Sequence, residues 1–366
     1  MAAKKNISVV EIDACDMQYQ SGIATYFNVL RDNMPSHIST YKIVFYRSPQ
    51  CKEVKIKDTG EELQIYHPTG FSFPSLFEGV FAFIAPKLRT MPNLIIKSDC
   101  LSCEGLAYMI KSRMYCKTIG VLHCQPAINT TPGFVPADPF FNMDEVILVA
   151  DNGRKYMDYW RCSRPYTVIY NGVDKPKIKT KKPKDGIFRF VFANGWAPHK
   201  GFEKIIPAIR MVAKKHKIQV TVLGGYSREA ESLFEEISDL PIVRLGLVED
   251  AAKIRECYEQ ADAALFASRA ESCSFAGIEA MAYNLPIVST NAPGLDEMFG
   301  DAALFVDVGP EYSINASQYA AAMTRLIEDR ALRTRLAVRG YARFVSRYTR
   351  KKMIADTIAV YERLVK

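Results

Sequence analysis

The chain has 366 residues, 48% of them hydrophobic and 24% charged, ordinary globular values that exclude collagen, extended coiled coil and wholesale disorder. Lys plus Arg number 48 against 40 Asp plus Glu, a formal +8, but six of the positives (Lys175, Lys177, Lys179, Lys181, Lys182 and Lys184) crowd into one short stretch, and without them the excess is +2. The basic character is therefore local, which argues against a molecule-wide nucleic-acid surface.

Short apolar runs rich in Val, Ile and Phe predict strands at 7–13, 42–46, 93–98, 117–122, 145–150 and 166–170. The series restarts at 188–193, 219–223, 242–245, 263–267, 286–290 and 303–307. Stretches of helical period lie between most of them, at 22–33, 73–88, 202–215, 227–238 and 276–283, and the end of the chain is helical through 320–327, 332–345 and 353–364. Continuous apolar strands separated by helices imply parallel sheets covered on both faces. The fold class is therefore α/β, with two Rossmann-like doubly wound domains facing across a cleft. The segment 73–88 is apolar nearly all round (Phe77, Phe81, Ile84 and Leu88 on one face, Leu76, Val80 and Phe83 on another) and reads as a buried helix.

The turn Asn171-Gly172-Val173-Asp174 closes the first series and the lysine- and proline-rich stretch after it cannot bury itself. The expected organisation is a first domain over 1–170, a linker over 171–186 and a second domain over 187–347, with the terminal helix at about 348–366 packing back on the first domain. The linker reads as solvated, with attraction of an anionic membrane or an acidic acceptor as the other possibility. Nine scattered cysteines suit a reducing compartment. With only a short apolar stretch at 7–10 and no run near about 18 apolar residues, the expectation is a cytoplasmic protein that touches a membrane at most peripherally.

Ligands of such folds sit at the carboxyl ends of the strands, so the residues just after each strand matter most. After the strand at 263–267 comes Glu271-Ser272-Cys273-Ser274-Phe275-Ala276, opening a helix that carries Glu279 one turn in. The amides of Ser274, Phe275 and Ala276 then form an anion site at a helix N-terminus, and Glu279 is placed to accept hydrogen bonds from a ribose diol. Lys200, at the start of another helix, reads as a phosphate clamp. Gly224 lets backbone approach a ligand, and Leu247, after a further strand, offers backbone to a nucleobase. Each has a plainer reading alone: a surface lysine, a simple turn, an exposed or capping glutamate. No D-x-D triplet, G-x-G-x-x-G or spaced ligand cluster is present, so neither a metal nor another cofactor is expected.

Taken together these residues resemble the retaining glycosyltransferases of family 4, which have the GT-B fold. Residues 271–307 match that family's E-x7-E signature and the proline-containing strand after it, Asn171–Asp174 matches its NG-[IV]-D turn, and Lys200-Gly201 matches its KG element. The resemblance covers most of 165–310 and is weaker over the first domain. It implies that Ser21 and Gly22 form the glycine loop beneath the donor phosphates and that His123 contacts the donor sugar near the anomeric carbon. It implies that Lys200 neutralises the leaving diphosphate and Glu271 orients sugar hydroxyls. The family usually places an arginine five residues before the KG lysine. Here that slot is Gly195, beside Asn194, which can donate a hydrogen bond but carries no charge.

The implied activity is metal-independent, retaining transfer of a hexosyl group from a UDP- or GDP-sugar to an acceptor hydroxyl on a glycan or lipid-linked molecule, in bacterial surface glycan or glycolipid synthesis. Two alternatives share the architecture: a nucleotide-sugar 2-epimerase, and a non-catalytic nucleotide-sugar-binding partner of another transferase.

Overall fold

The computed structural model describes residues 4–16, 22–47, 51–68, 73–99, 101–124, 137–177, 182–225 and 235–366. Most of the helix expected at 227–238 lies outside these residues. The chain divides into two compact units, Met1–Tyr170 with Lys351–Lys366, and Asn171–Arg350.

The first unit is built on strands β1 (Ile7–Asp16), β2 (Ile38–Arg47), β3 (Lys55–Asp58), β4 (Glu62–His67), β5 (Leu94–Ser98), β6 (Lys117–Leu122), β7 (Glu145–Leu148) and β8 (Tyr166–Val168). They form one sheet in the order β3-β4-β2-β1-β5-β6-β7-β8. Every neighbouring pair is parallel except β3–β4. Val10, Ile12, Ile96 and Leu122 along the central strands are fully or almost fully buried, as expected when helices cover both faces of a parallel sheet.

Strands β3 and β4 were not among the expected strands. β3 reads Lys-Ile-Lys-Asp and is mostly exposed, and β4 alternates buried and half-buried residues. A charged edge strand of this kind discourages pairing with other chains and gives no continuous apolar run to recognise. The helix Phe73–Leu88 buries Leu76, Phe77, Val80, Phe81, Ile84 and Leu88, but Phe83 is 51% exposed, so the helix is amphipathic rather than buried all round. The terminal helix Arg350–Leu364 closes this unit: Glu362 takes Lys4 at 2.8 Å and His37 at 3.1 Å, Arg363 pairs with Glu145, and Tyr361 is fully buried.

The second unit carries β9 (Phe188–Phe192), β10 (Ile218–Leu223), β11 (Ile242–Gly246), β12 (Ala263–Phe266), β13 (Ile287–Thr290) and β14 (Ala303–Val306), paired in parallel in the order β11-β10-β9-β12-β13-β14. Its core joins Phe190, Val220 and Leu265 to Phe202, Ile205 and Ile209 of the helix Phe202–Ala213. Side chains cap the helices: Asp250 accepts from Ala252 N, Asn315 from Gln318 N, and Asp329 from Leu332 N.

The turn at 171–174 is tied into this same unit. Asn171 Nδ2 donates to the Cys273 carbonyl at 2.7 Å, Val173 bridges to Thr349, and Asp174 pairs with Arg350 at 2.9 Å. Within the lysine-rich stretch, Lys182 pairs with Asp262 at 3.0 Å and Lys175 lies 5.6 Å from the centre of the Tyr341 ring. Among the described residues no helix is long and apolar enough to cross a membrane.

Candidate functional site

Because the strands of the second unit run parallel, all their carboxyl ends lie along one edge of the sheet, and the loops that leave them meet there. The loop after β9 is pinned to the loop after β10 by two bonds, Gly195 N to the Leu223 carbonyl and Trp196 N to the Gly225 carbonyl, each 2.8 Å. The loop after β10 is pinned to the end of β11 by Gly224 N to the Gly246 carbonyl, 2.9 Å. Gly195 and Gly224 both have positive φ, +69° and +105°. A Cβ on Gly195 would lie 2.8 Å from the Gly225 oxygen, and one on Gly224 would lie 2.6 Å from the Gly195 Cα. The slot where the resembled family keeps an arginine is therefore closed to any side chain by backbone packing.

A continuous hydrogen-bonded chain crosses this edge. Lys200 Nζ lies 2.7 Å from Glu271 Oε1, and Ser268 Oγ donates to the same oxygen at 2.7 Å. Ser268 accepts from Asn194 Nδ2 at 3.3 Å, and Asn194 Oδ1 accepts from Ser274 Oγ at 3.3 Å. Ser274 is the N-cap of the helix Phe275–Ala282 and its hydroxyl accepts from Gly277 N. The first-turn amides of Phe275 and Ala276 have no acceptor within the helix, which gives this end its affinity for anions. Lys200 and Glu271 keep 22% and 10% of their side chains exposed, so the pair is reachable from solvent.

Glu279 lies on the same helix. Its Oε2 accepts from the Tyr258 hydroxyl at 2.8 Å, and the Tyr258 ring stacks on Tyr283 at 5.0 Å and 6°. Burial pushes the Glu279 carboxyl above the ordinary range, and the Tyr258 hydrogen bond opposes that. Leu247 follows β11 and is 54% exposed. His199 precedes Lys200, and burial together with the neighbouring ammonium lowers its pKa below the usual imidazole value, so it is uncharged near neutrality. It therefore supplies no positive charge in place of the arginine that the resembled family keeps near this position.

The expected residues thus fall into separate groups. Asn194, Gly195, Lys200, Gly224, Glu271 and Ser274 are joined along one edge. Phe275, Ala276 and Glu279 share the helix that Ser274 caps. His123, which directly follows β6, belongs to the first unit, where Nε2 lies 3.0 Å from Asp99 Oδ1. Gly22 opens the helix Gly22–Arg31, and Ser21 lies outside the described residues. Two members of the network were not read from the sequence. Ser268 is fully buried just beyond the end of β12, and that position was a legible signal, since strand ends meet ligands in this fold class. Tyr258, from the helix Ala251–Gln260, left no such signal.

Residues 188–329 match the family described as "Glycosyl transferases group 1". The Escherichia coli O-antigen biosynthesis glycosyltransferase WclY is 26% identical over 234 residues, 60% of this chain and 62% of that protein. The match thus spans about six tenths of that relative's length. Sucrose-phosphate synthase from Thermosynechococcus elongatus superposes with a TM-score of 0.74 at 17% identity, covering 99% of both chains. Anabaena Alr3699/HepE, solved in complex with UDP and glucose, superposes with a TM-score of 0.68 at 15% identity, covering 96% of this chain and 98% of that one. These likenesses show the fold: two Rossmann-like units of the GT-B type.

Proposed function

We propose that this chain is a retaining, metal-independent glycosyltransferase of family 4 type. It moves a hexosyl group from a UDP- or GDP-sugar to an acceptor hydroxyl in the synthesis of a surface glycan or glycolipid. The observation that carries this reading is the chain of contacts Lys200–Glu271–Ser268–Asn194–Ser274 at the carboxyl edge of the sheet, inside the segment that matches the group 1 family. The O-antigen role of the WclY relative supports the glycan assignment, and the UDP and glucose held by the Anabaena neighbour support the donor class.

In this reading the anomeric C–O bond to the diphosphate breaks, and the acceptor oxygen bonds to the anomeric carbon on the same face. The acceptor's proton goes to the departing phosphate oxygen. Negative charge grows on the diphosphate as the bond breaks, and fixed positive charge aimed there lowers the barrier. Lys200 and the first-turn amides at Phe275 and Ala276 supply that charge, which is the task a metal ion performs in other transferases. Glu271, already facing Lys200, orients sugar hydroxyls. Glu279 uses the carboxylate oxygen not bound to Tyr258 to hold the ribose, Leu247 lies by the base, and His123 contacts the donor sugar.

The test is to incubate the chain with a panel of UDP- and GDP-sugars, with and without glycan and lipid-linked acceptors, and follow free nucleoside diphosphate and product by NMR. Acceptor-dependent release of diphosphate with an unchanged anomeric configuration is expected, also in EDTA. Conversion of the donor sugar without any acceptor would point to the epimerase instead, and donor binding without turnover to a non-catalytic partner.

A further inference from the structure

Six residues of the first unit form one cluster centred on the buried ammonium of Lys97. Lys97 on β5 sits directly opposite Glu11 on β1 in the parallel register. Its side chain is fully buried, with Nζ 3.1 Å from Glu11 Oε1 and 2.8 and 2.9 Å from the two oxygens of Asp99. Tyr26 lies beneath it, with the ring centre 4.6 Å from Nζ, and Tyr361 of the terminal helix is buried against the same group. Asp99 Oδ1 also faces His123 Nε2 at 3.0 Å, and the Tyr26 ring meets the imidazole edge-on, with centroids 4.6 Å apart and planes at 79°.

We propose that Asp99, held by the buried Lys97, is a positioning residue for His123: it fixes the ring as the Nε2–H tautomer and leaves Nδ1 as the atom offered to a sugar hydroxyl. The proposal rests on the reading of His123 as a donor-sugar contact. Burial alone would push the Asp99 carboxyl up, but the Lys97 ammonium and the His123 hydrogen bond outweigh it and hold the carboxyl below its usual range. An ionised carboxylate has no hydrogen to give, so the proton between Asp99 and His123 resides on Nε2. In the neutral ring Nδ1 is then an acceptor, and it has no partner among the described residues. Tyr26 packs edge-on against the ring. Only 7% of the His123 side chain is exposed, so the orientation is set by these neighbours rather than by water.

Stability does not account for the arrangement. A lysine buried with two acidic groups is a poor route to stability, because the cost of desolvating charge offsets the attraction. Among the described residues, Glu11 Oε2 and the Tyr361 hydroxyl are buried without hydrogen-bond partners. Such incompletely paired groups fit a site shaped to hold one ring in one state.

The experiment is two-bond 1H–15N NMR on the full chain with 15N-labelled histidine, at a pH where the ring is neutral, for wild type and Asp99→Asn. In the variant, Lys97 Nζ can only donate, so it takes the carboxamide oxygen and turns the NH2 toward His123 Nε2. Wild type is expected to be Nε2–H and Asp99→Asn to be Nδ1–H. The variant's kcat is expected to fall about 100-fold with little change in donor KM, and Asp99→Glu is expected to keep the wild-type tautomer. An Nδ1–H ring in wild type overturns the proposal even if the variants fail to fold. So does an Asp99→Asn variant that loses stability but keeps the tautomer and kcat. The tautomer is read without substrate, so it is independent of the transferase reading. Undiminished transfer by His123→Ala would instead overturn the sugar-contact role on which the proposal rests.

Discussion

Lys200 and Glu271, brought from two different strand ends, meet as an ion pair at 2.7 Å. The pair holds the ammonium at the edge of the sheet before any anion arrives. A diphosphate must compete with one carboxylate oxygen for it. That oxygen also accepts from Ser268, so Glu271 keeps a partner when Lys200 turns to the ligand.

Lys200→Ala removes the positive charge and leaves the backbone in place. We expect turnover about 10²–10³-fold lower, as for the loss of one preorganised charge-stabilising group. Steady-state kinetics with a saturating donor would check this; an unchanged kcat would take Lys200 out of leaving-group stabilisation.

Gly195→Arg restores the residue the resembled family keeps at this slot, yet it should do harm. The backbone there has φ +69°, and a Cβ would press on the Gly225 carbonyl. Left-handed backbone costs an L-residue about 1–2 kcal/mol before any clash. Thermal unfolding should fall by roughly 2–8 °C, at about 2–4 °C per kcal/mol for a unit of this size, with no gain in donor affinity. Tighter donor binding at unchanged stability would contradict this account of the glycine.

Glu279→Gln tests a trade between stability and binding. Burial raises the folded-state pKa of Glu279 above its unfolded value. A raised carboxyl contributes stability that is fully present below the unfolded pKa and lost as pH rises through the folded one. The neutral amide does not lose it, so Glu279→Gln should be more stable than wild type at neutral pH, with the gain shrinking on acidification. Donor affinity should meanwhile drop about 10-fold, the scale of one lost hydrogen bond to a charged group. Tyr258→Phe should weaken donor binding by less, since the carboxylate remains. Calorimetry beside thermal melts from pH 4 to 8 checks each; a Gln variant that binds as wild type removes Glu279 from the donor site.

Glu11 makes the same argument in the first unit. Burial, opposed chiefly by Lys97, raises its carboxyl from 4.5 to about 7. Its stabilising contribution is present below 4.5 and fades as pH climbs to about 7. Glu11→Gln should therefore flatten the fall in stability across that window. Equal slopes for both proteins in chemical denaturation would refute the assignment.

How far the sequence disclosed all this depends on what each feature requires. The two parallel sheets were legible because strands buried on both faces read as unbroken apolar runs, as at 188–192 and 263–266. The Glu271–Ala276 turn and Lys200 were legible because they lie in the loops that leave such runs. β3 was not, since a charged edge strand looks like loop, and β4 was not, since it alternates buried and half-buried residues instead of forming an unbroken apolar run. The Lys97 cluster was hidden for another reason. Glu11 and Lys97 are single charges within apolar strands, and only the register of β1 against β5 shows that they face one another. Tyr258 was invisible because the helix that carries it gives no hint of which side chain reaches Glu279.

The most direct test is titration calorimetry of UDP and GDP into the intact chain and into Lys200→Ala. The account predicts that wild type binds one of the two nucleotides and that the substitution weakens it by about 10- to 100-fold, the scale of a charge-assisted phosphate contact. Binding of neither nucleotide, or equal binding by both proteins, would contradict it.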